Sequence, residues 1–196
     1  MKNILAIYTS AAGKHSTSTN LAKEWIEQQS GNLVERDISA SPVTHYDENA
    51  LGSFFSSEPE KLTTSQKQAL ENSDQLVDEV KNADCLVLAV PMYNFSIPST
   101  LKAWFDQIAR MGKTFTYTEN GPEGLLVNKR AVVILTMGGF HKGSELDFIT
   151  PYIKHFLLFI GITDVQFIYA EGTAMGDENK DSAISTAKQQ LKELIA

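Results

Sequence analysis

An α/β fold built on a parallel sheet, with helices covering both faces, is what this sequence predicts. Apolar runs of strand length recur five times, amphipathic segments at helical spacing separate them, and the two kinds alternate along the whole chain. At 196 residues with 42% apolar content, the chain can build one domain, 1–196, around a sizeable core.

The first strand is expected at 4–8 and is followed by a helix over 18–29. The second strand, 33–38, leads into a segment, 39–62, that reads as a long irregular loop. Pro42, Gly52, Pro59 and several serines interleave there with His45, Tyr46, Phe54 and Phe55, a composition suited to a lid or a flap. The helix over 65–81 groups Leu70, Leu76, Val77 and Val80 with Ala69 and Ser73 on one side. Glu71, Asp74, Asp78, Glu79 and Lys81 mark the wet side, and Thr63-Thr64-Ser65 supplies a cap region. The third strand, 85–90, precedes a helix over 100–109. An insertion at 112–128 then carries Phe115-Thr116-Tyr117-Thr118, alternating like a strand, and the turn cluster Glu119 to Gly124. A small hairpin projecting beyond the sheet is expected, with Phe115 and Tyr117 exposed for a partner surface such as a second subunit. The fourth strand (131–136), a helix (148–160), the fifth strand (165–170) and a closing helix (179–195) complete the series.

Composition narrows the function classes. The formal charge of −7 argues against nucleic acid, whose phosphates reward a basic face. No apolar run approaches the roughly 20 residues of a membrane-spanning helix, and the apolar start of the chain is too short for a secretory signal, so a cytoplasmic protein is expected. The lone Cys85 reads as a buried structural thiol. His15, His45, His141 and His155 stand far apart with no H-x-x-x-H pair, and no metal site is expected.

In open sheets of this kind ligands bind beyond the carboxyl ends of the strands. After the first strand, Thr9 to Asn20 holds six hydroxyl residues, among them Ser10, Ser16, Thr17 and Ser18. They either cap the helix or, with its free N–H groups, hold a phosphate. No G-x-G-x-x-G and no G-x-x-x-x-G-K-[ST] is present, so a monophosphate held by hydroxyls and amides is the remaining phosphate reading. After the third strand, Met92-Tyr93-Asn94-Phe95 lies between Pro91 and Pro98, either as a stiff wall for a flat heterocycle or as an aromatic turn over the core. After the fourth, Thr136-Met137-Gly138-Gly139 either turns the chain or lets backbone approach a ring closely, with His141 just beyond.

These residues carry a resemblance. A-V-P-M-Y-N-F at 89–95, T-F-T-Y-T-E-N-G-P-E-G at 114–124, T-M-G-G at 136–139 and F-I-G-I-T-D-V at 159–165 resemble the FMN-dependent NADH-azoreductases, flavodoxin-like homodimers also described as quinone reductases. The resemblance implies a doubly wound five-stranded parallel sheet of order 2-1-3-4-5 with a small insertion after the third βα unit. It implies FMN held by Ser10 and Ser16 to Ser18 at the phosphate and ribityl end, by Met92, Tyr93, Asn94 and Phe95 along the isoalloxazine, and by Thr136, Met137, Gly138 and Gly139 at the other edge. Tyr117, Phe159 and His141 would line the substrate pocket, although spacing alone places Phe159 in the core. The implied reaction is ping-pong: NADH reduces the flavin, then a quinone or azo compound takes two electrons, and no catalytic side chain is required because the flavin carries the chemistry. No adenosine-phosphate site in the sequence decides between NADH and NADPH. Relatives often carry S-R-G-G where this chain has Thr136-Met137-Gly138-Gly139, which removes a positive charge near the ring. The rival expectations are an electron-carrier flavodoxin-like FMN protein without NADH turnover and a flavodoxin-like interaction protein that has lost its cofactor.

Overall fold

A computed structural model describes residues 3–194; the expected end of the last helix at Ile195 lies outside the described residues. In chain order the strands are β1 (Asn3–Tyr8), β2 (Asn32–Asp37), β3 (Cys85–Pro91), β4 (Phe115–Thr118), β5 (Gly121–Gly124), β6 (Arg130–Thr136) and β7 (Asp164–Ala170). The α-helices are α1 (Thr17–Ile26), α2 (Glu48–Phe54), α3 (Thr64–Asn82), α4 (Ser99–Ile108), α5 (Ile149–Phe159) and α6 (Asp177–Glu193). Five strands pair in parallel in the order β2-β1-β3-β6-β7, and β4-β5 forms a separate antiparallel hairpin after the third βα unit. Counting the parallel strands alone, this is the expected 2-1-3-4-5.

Alternation along the strands assigns the two layers, because successive side chains leave a strand on opposite faces. Leu5, Ile7, Leu86, Leu88, Val133 and Leu135 face α3, α4 and α5, where Val77, Val80, Trp104, Phe105 and Ile153 complete the larger core. Ile4, Ala6, Cys85, Val87, Val132 and Ile134 face α1 and α6, where Leu21, Trp25, Ala187 and Leu191 close the smaller one. The indole N–H of Trp25 donates to the Leu191 carbonyl at 2.9 Å and ties these two helices together. Cys85 is fully buried and its thiol is pushed up to about 11 by burial, in keeping with a structural role. The two edge strands depart from burial on both faces: Leu33 and Val34 of β2 remain exposed, as do Asp164 and Gln166 of β7.

The cap expected near Thr63 forms as a capping box: Thr63 accepts from the Gln66 N–H, and the Gln66 side chain accepts from the Thr63 N–H at 3.0 Å. The segment 39–62 is more ordered than its composition suggests. It contains α2, started by the Asp47 carboxylate accepting from the Ala50 N–H at 2.9 Å, and a 3-10 turn at Pro59–Lys61. Phe54 is held by partners distant in sequence: the Arg110 guanidinium lies 4.0 Å from its ring centroid, and Arg110 also donates to Ser73 and Asp74 at 2.6 and 2.8 Å. A seven-residue helix shows too little periodicity to be read without those partners.

The hairpin also departs from expectation. Phe115 is only 7% exposed, because the hairpin folds back on the end of α5 and sets Phe115 against Phe159, ring centroids 4.4 Å apart. Backbone meets backbone there. A Cβ on Gly124 would stand 2.0 Å from the Gly161 nitrogen, and Leu126 N–H donates to the Ile160 carbonyl at 2.9 Å. Tyr117 alone of the two rings projects, at 66% exposure.

Candidate functional site

Parallel topology brings the ends of β1, β3 and β6 side by side, and specific bonds join the loops that follow them. The Thr9 hydroxyl donates to the Ala89 carbonyl at 2.8 Å, and the Tyr93 hydroxyl lies 3.2 Å from Ser10 Oγ while accepting from the Ala11 N–H at 3.1 Å. Met92 N–H donates to the Thr136 carbonyl at 2.8 Å. Three strand ends therefore make one continuous edge.

At its first end, Ser16 is the N-cap of α1, its hydroxyl accepting from the Thr19 N–H at 3.2 Å and lying 3.2 Å from Ser18 Oγ. Capping uses only one of the first-turn donors; the N–H groups of Thr17 and Ser18 have no partner within the helix. Ser10, Ser16 and Ser18 are buried and Thr17 is half-buried. A set of hydroxyls and free amides at the positive end of a ten-residue helix suits an anion.

In the middle stands the loop from Pro91 to Pro98. Tyr93 and Ser96 exchange both backbone bonds at 3.0 Å, which closes a two-residue turn with Asn94 at φ 50 and Phe95 at φ 63. Asn tolerates this left-handed region, whereas a Phe there is strained at a cost of about 1–2 kcal/mol. Strain of this sort persists where surrounding structure imposes it, and it turns the half-exposed Phe95 ring outward to meet His141, centroids 5.8 Å apart and edge to face. Pro98 then caps α4.

The third end is the loop after β6. Thr136 is buried at the mouth, and Gly138 and Gly139 are half-buried. Met137 differs from its neighbours: its side chain is fully buried in the larger core, its N–H donates to the Ala170 carbonyl at 2.9 Å, and its carbonyl accepts from the Thr173 N–H. It has no free group to offer a ligand. The open side of Gly139 is covered by the His141 imidazole, whose Nε2 would lie 2.9 Å from an added Cβ, while the buried His141 Nδ1 has no partner. Close approach at this glycine is thus real in the structure, and the ring that approaches is the chain's own.

Tyr117 and Phe159 belong to a second cluster. Phe159 packs between Phe115 and Phe156 under the hairpin, half-buried, in a ring of aromatics that continues to Phe105. The aromatic contacts of these two residues are with the hairpin and α5, not with the strand-end loops. Sequence reasoning missed two contributors to the strand-end site. Thr173 bonds Met137 through N–H and hydroxyl alike, and Glu171 accepts from the His141 and Lys142 N–H groups. Both lie beyond the fifth strand, and the available signal was topological: strand five adjoins strand four, so its following loop shares the same edge.

Comparison with known proteins agrees with this architecture. A family model described as flavodoxin-like fold matches residues 2–195. The FMN-dependent NADH:quinone oxidoreductase of Alteromonas mediterranea is 46% identical over 99% of this chain and 98% of its own length. FMN-dependent NADH:quinone oxidoreductase 1 of Photobacterium profundum is 43% identical over all of both chains. Among solved structures, a FMN-dependent NADH-azoreductase from Bacillus anthracis in complex with FMN superposes with a TM-score of 0.87 at 26% identity, covering 99% of each chain. With its sheet order, its three joined strand ends and relatives of this identity along its whole length, the chain belongs to the flavodoxin-like-fold family and, within it, to the FMN-dependent NADH:quinone oxidoreductases and azoreductases.

Proposed function

We propose that this chain binds FMN across the ends of β1, β3 and β6 and works as a FMN-dependent NADH:quinone oxidoreductase that also cleaves azo bonds reductively. The observation that carries the reading is the pairing of two donor-rich ends on one edge. Unpartnered N–H groups and buried hydroxyls open α1, and the N–H groups of Gly138, Gly139 and Phe140 donate to nothing among the described residues. An anion at one end and a ring with acceptor oxygens and nitrogens at the other would satisfy both sets, and the orphaned His141 Nδ1 adds a polar atom at the ring end. The residues present fit the cofactor.

Bound FMN would supply hydride acceptance and two-electron transfer. The chain's own residues do the rest. Ser10, Ser16, Thr17 and Ser18 hold the phosphate and ribityl end; Met92, Tyr93, Asn94 and Phe95 wall the ring; Thr136, Gly138 and Gly139 close the far edge through backbone. For Met137 the role reduces to anchoring that edge from the core. His141 borders the space in which nicotinamide and then a quinone or azo acceptor stack in turn, and Tyr117 and Phe159, whose ring contacts lie away from the strand ends of their own chain, would border that space in a second subunit. Tyr117, with Leu125, Val127 and Leu158 exposed around the same hairpin and helix end, supports a homodimer that completes this pocket. Among the described residues no helix is long and apolar enough to cross a membrane; a single domain working in the cytoplasm is part of the proposal.

Anaerobic mixing with NADH, followed by a quinone, tests the function. The expected result is bleaching of the flavin's visible absorption band and its recovery on adding quinone. A flavin band unmoved by NADH and NADPH would instead make the protein an electron carrier.

A further inference from the structure

The loop after β6 has its acceptors and its donors treated differently. The carbonyls of Met137, Gly138 and Gly139 accept from the N–H groups of Thr173, Ala174 and Gly172 at 3.1, 3.0 and 3.0 Å. Glu171 Oε1 accepts from the N–H groups of His141 and Lys142 at 2.7 and 2.6 Å. The donors left over are those of Gly138, Gly139 and Phe140. Lys142 does not compete for the carboxylate, because its ammonium lies over the Tyr169 ring, 4.4 Å from the centroid. The carboxylate is thus given to backbone. An ionised carboxylate only accepts, and such charge-assisted bonds are about twice as strong as neutral ones.

Two consecutive N–H groups on one oxygen fix the peptides on either side of His141. The pin stands just past two glycines, the residues with most conformational freedom to lose. We propose that Glu171 is a positioning residue for the cofactor: by holding the His141–Lys142 backbone it aims the Gly138 to Phe140 N–H donors at the ring's acceptor edge, where negative charge collects on reduction. Donors fixed in advance at the place where charge develops favour the reduced cofactor over the oxidised one. In this chain that role falls on backbone dipoles, because the position after Thr136 carries Met137 and no positive charge. The inference rests on the FMN reading above.

The test uses the full-length protein, stripped of flavin for titration and reloaded for potentiometry. Glu171→Ala is expected to bind oxidised FMN about tenfold more weakly and reduced FMN a further tenfold more weakly, which lowers the two-electron midpoint potential by about 30 mV. Glu171→Gln keeps an acceptor oxygen and should restore binding and potential most of the way to wild type. Should Glu171→Ala fail to fold, Glu171→Asp, whose shorter arm cannot reach both N–H groups, takes its place with the same expected losses. Wild-type affinity and potential in the folded Ala or Asp variant would overturn the inference, as would a Gln variant impaired as badly as Ala. A wild-type protein that takes up no FMN would overturn the functional reading itself, before any variant is compared.

Discussion

Gly124 is where the hairpin meets α5, and Gly124→Ala tests how that meeting places Tyr117. The new Cβ would lie 2.0 Å from Gly161 N, 2.3 Å from Gly161 Cα and 2.4 Å from the Ile160 carbonyl carbon, all backbone atoms with no rotamer to change. The chain can keep the overlap or release the hairpin, and the cheaper escape sets the cost. Release exposes Phe115, now 7% exposed, and breaks the Leu126 N–H bond to Ile160. Those losses are about 2–3 kcal/mol for the ring and about 1 kcal/mol for the hydrogen bond. Destabilisation should therefore be near 3–4 kcal/mol and no larger. With a urea slope of about 2 kcal/mol/M, the unfolding midpoint falls by roughly 1.5–2 M. Hydrogen exchange should show the Leu126 amide losing protection while β3 and β6 keep theirs. FMN uptake persists, because the hairpin contributes nothing to the three strand ends, whereas the KM for quinone rises as Tyr117 is displaced. A midpoint within about 0.3 M of wild type, with Leu126 still protected, would refute the argument that backbone contact holds the hairpin.

Three further outcomes are expected. Ser16→Ala removes the α1 cap and should cost about 1 kcal/mol in urea unfolding; it should weaken FMN while leaving riboflavin, which lacks the phosphate, unchanged, and equal weakening of both in fluorescence titrations would count against a phosphate seat. Cys85 has a thiol held at about 11 when folded against 9.0 in its ordinary state. The folded form keeps its proton more tightly, so this contribution to stability is complete below pH 9 and disappears as pH rises to 11. Comparing urea midpoints of wild type and Cys85→Ala across that window should show the extra alkaline loss in wild type alone. His141→Ala should retain FMN, because Glu171 grips the residue-141 backbone and not the ring; a folded variant purified with little bound flavin would show that the imidazole itself holds the cofactor.

How much could be read from the chain alone differs from element to element. The strands were legible because period-2 alternation is a local pattern, and burial of Leu5, Ile7, Leu86 and Leu88 on one face against Ile4, Ala6 and Val87 on the other follows from it directly. The Thr63 cap was legible for the same reason. α2 was not, because it is stabilised by Arg110 under Phe54, a contact across more than fifty residues. Phe115 was misplaced because alternation puts it on the same strand face as Tyr117 without saying which end of that face a neighbour covers, and the Gly124–Gly161 approach sets the Phe115 end against α5. Met137 was expected near the ring and went into the core, since β6 continues its alternation one residue past the strand's end.

By itself the sequence determined the sheet, its helical cover and the three strand ends where a ligand would bind, because these follow from periodicity and from residue types close together in the chain. The tertiary structure alone decided which groups at those ends remain free. The Met137 side chain goes to the core and the Glu171 carboxylate to the backbone of a neighbouring loop. The N–H groups left without partners are what a cofactor can use. Satisfying buried polar groups depends on the whole surroundings of each atom, and no local pattern in the chain records those surroundings.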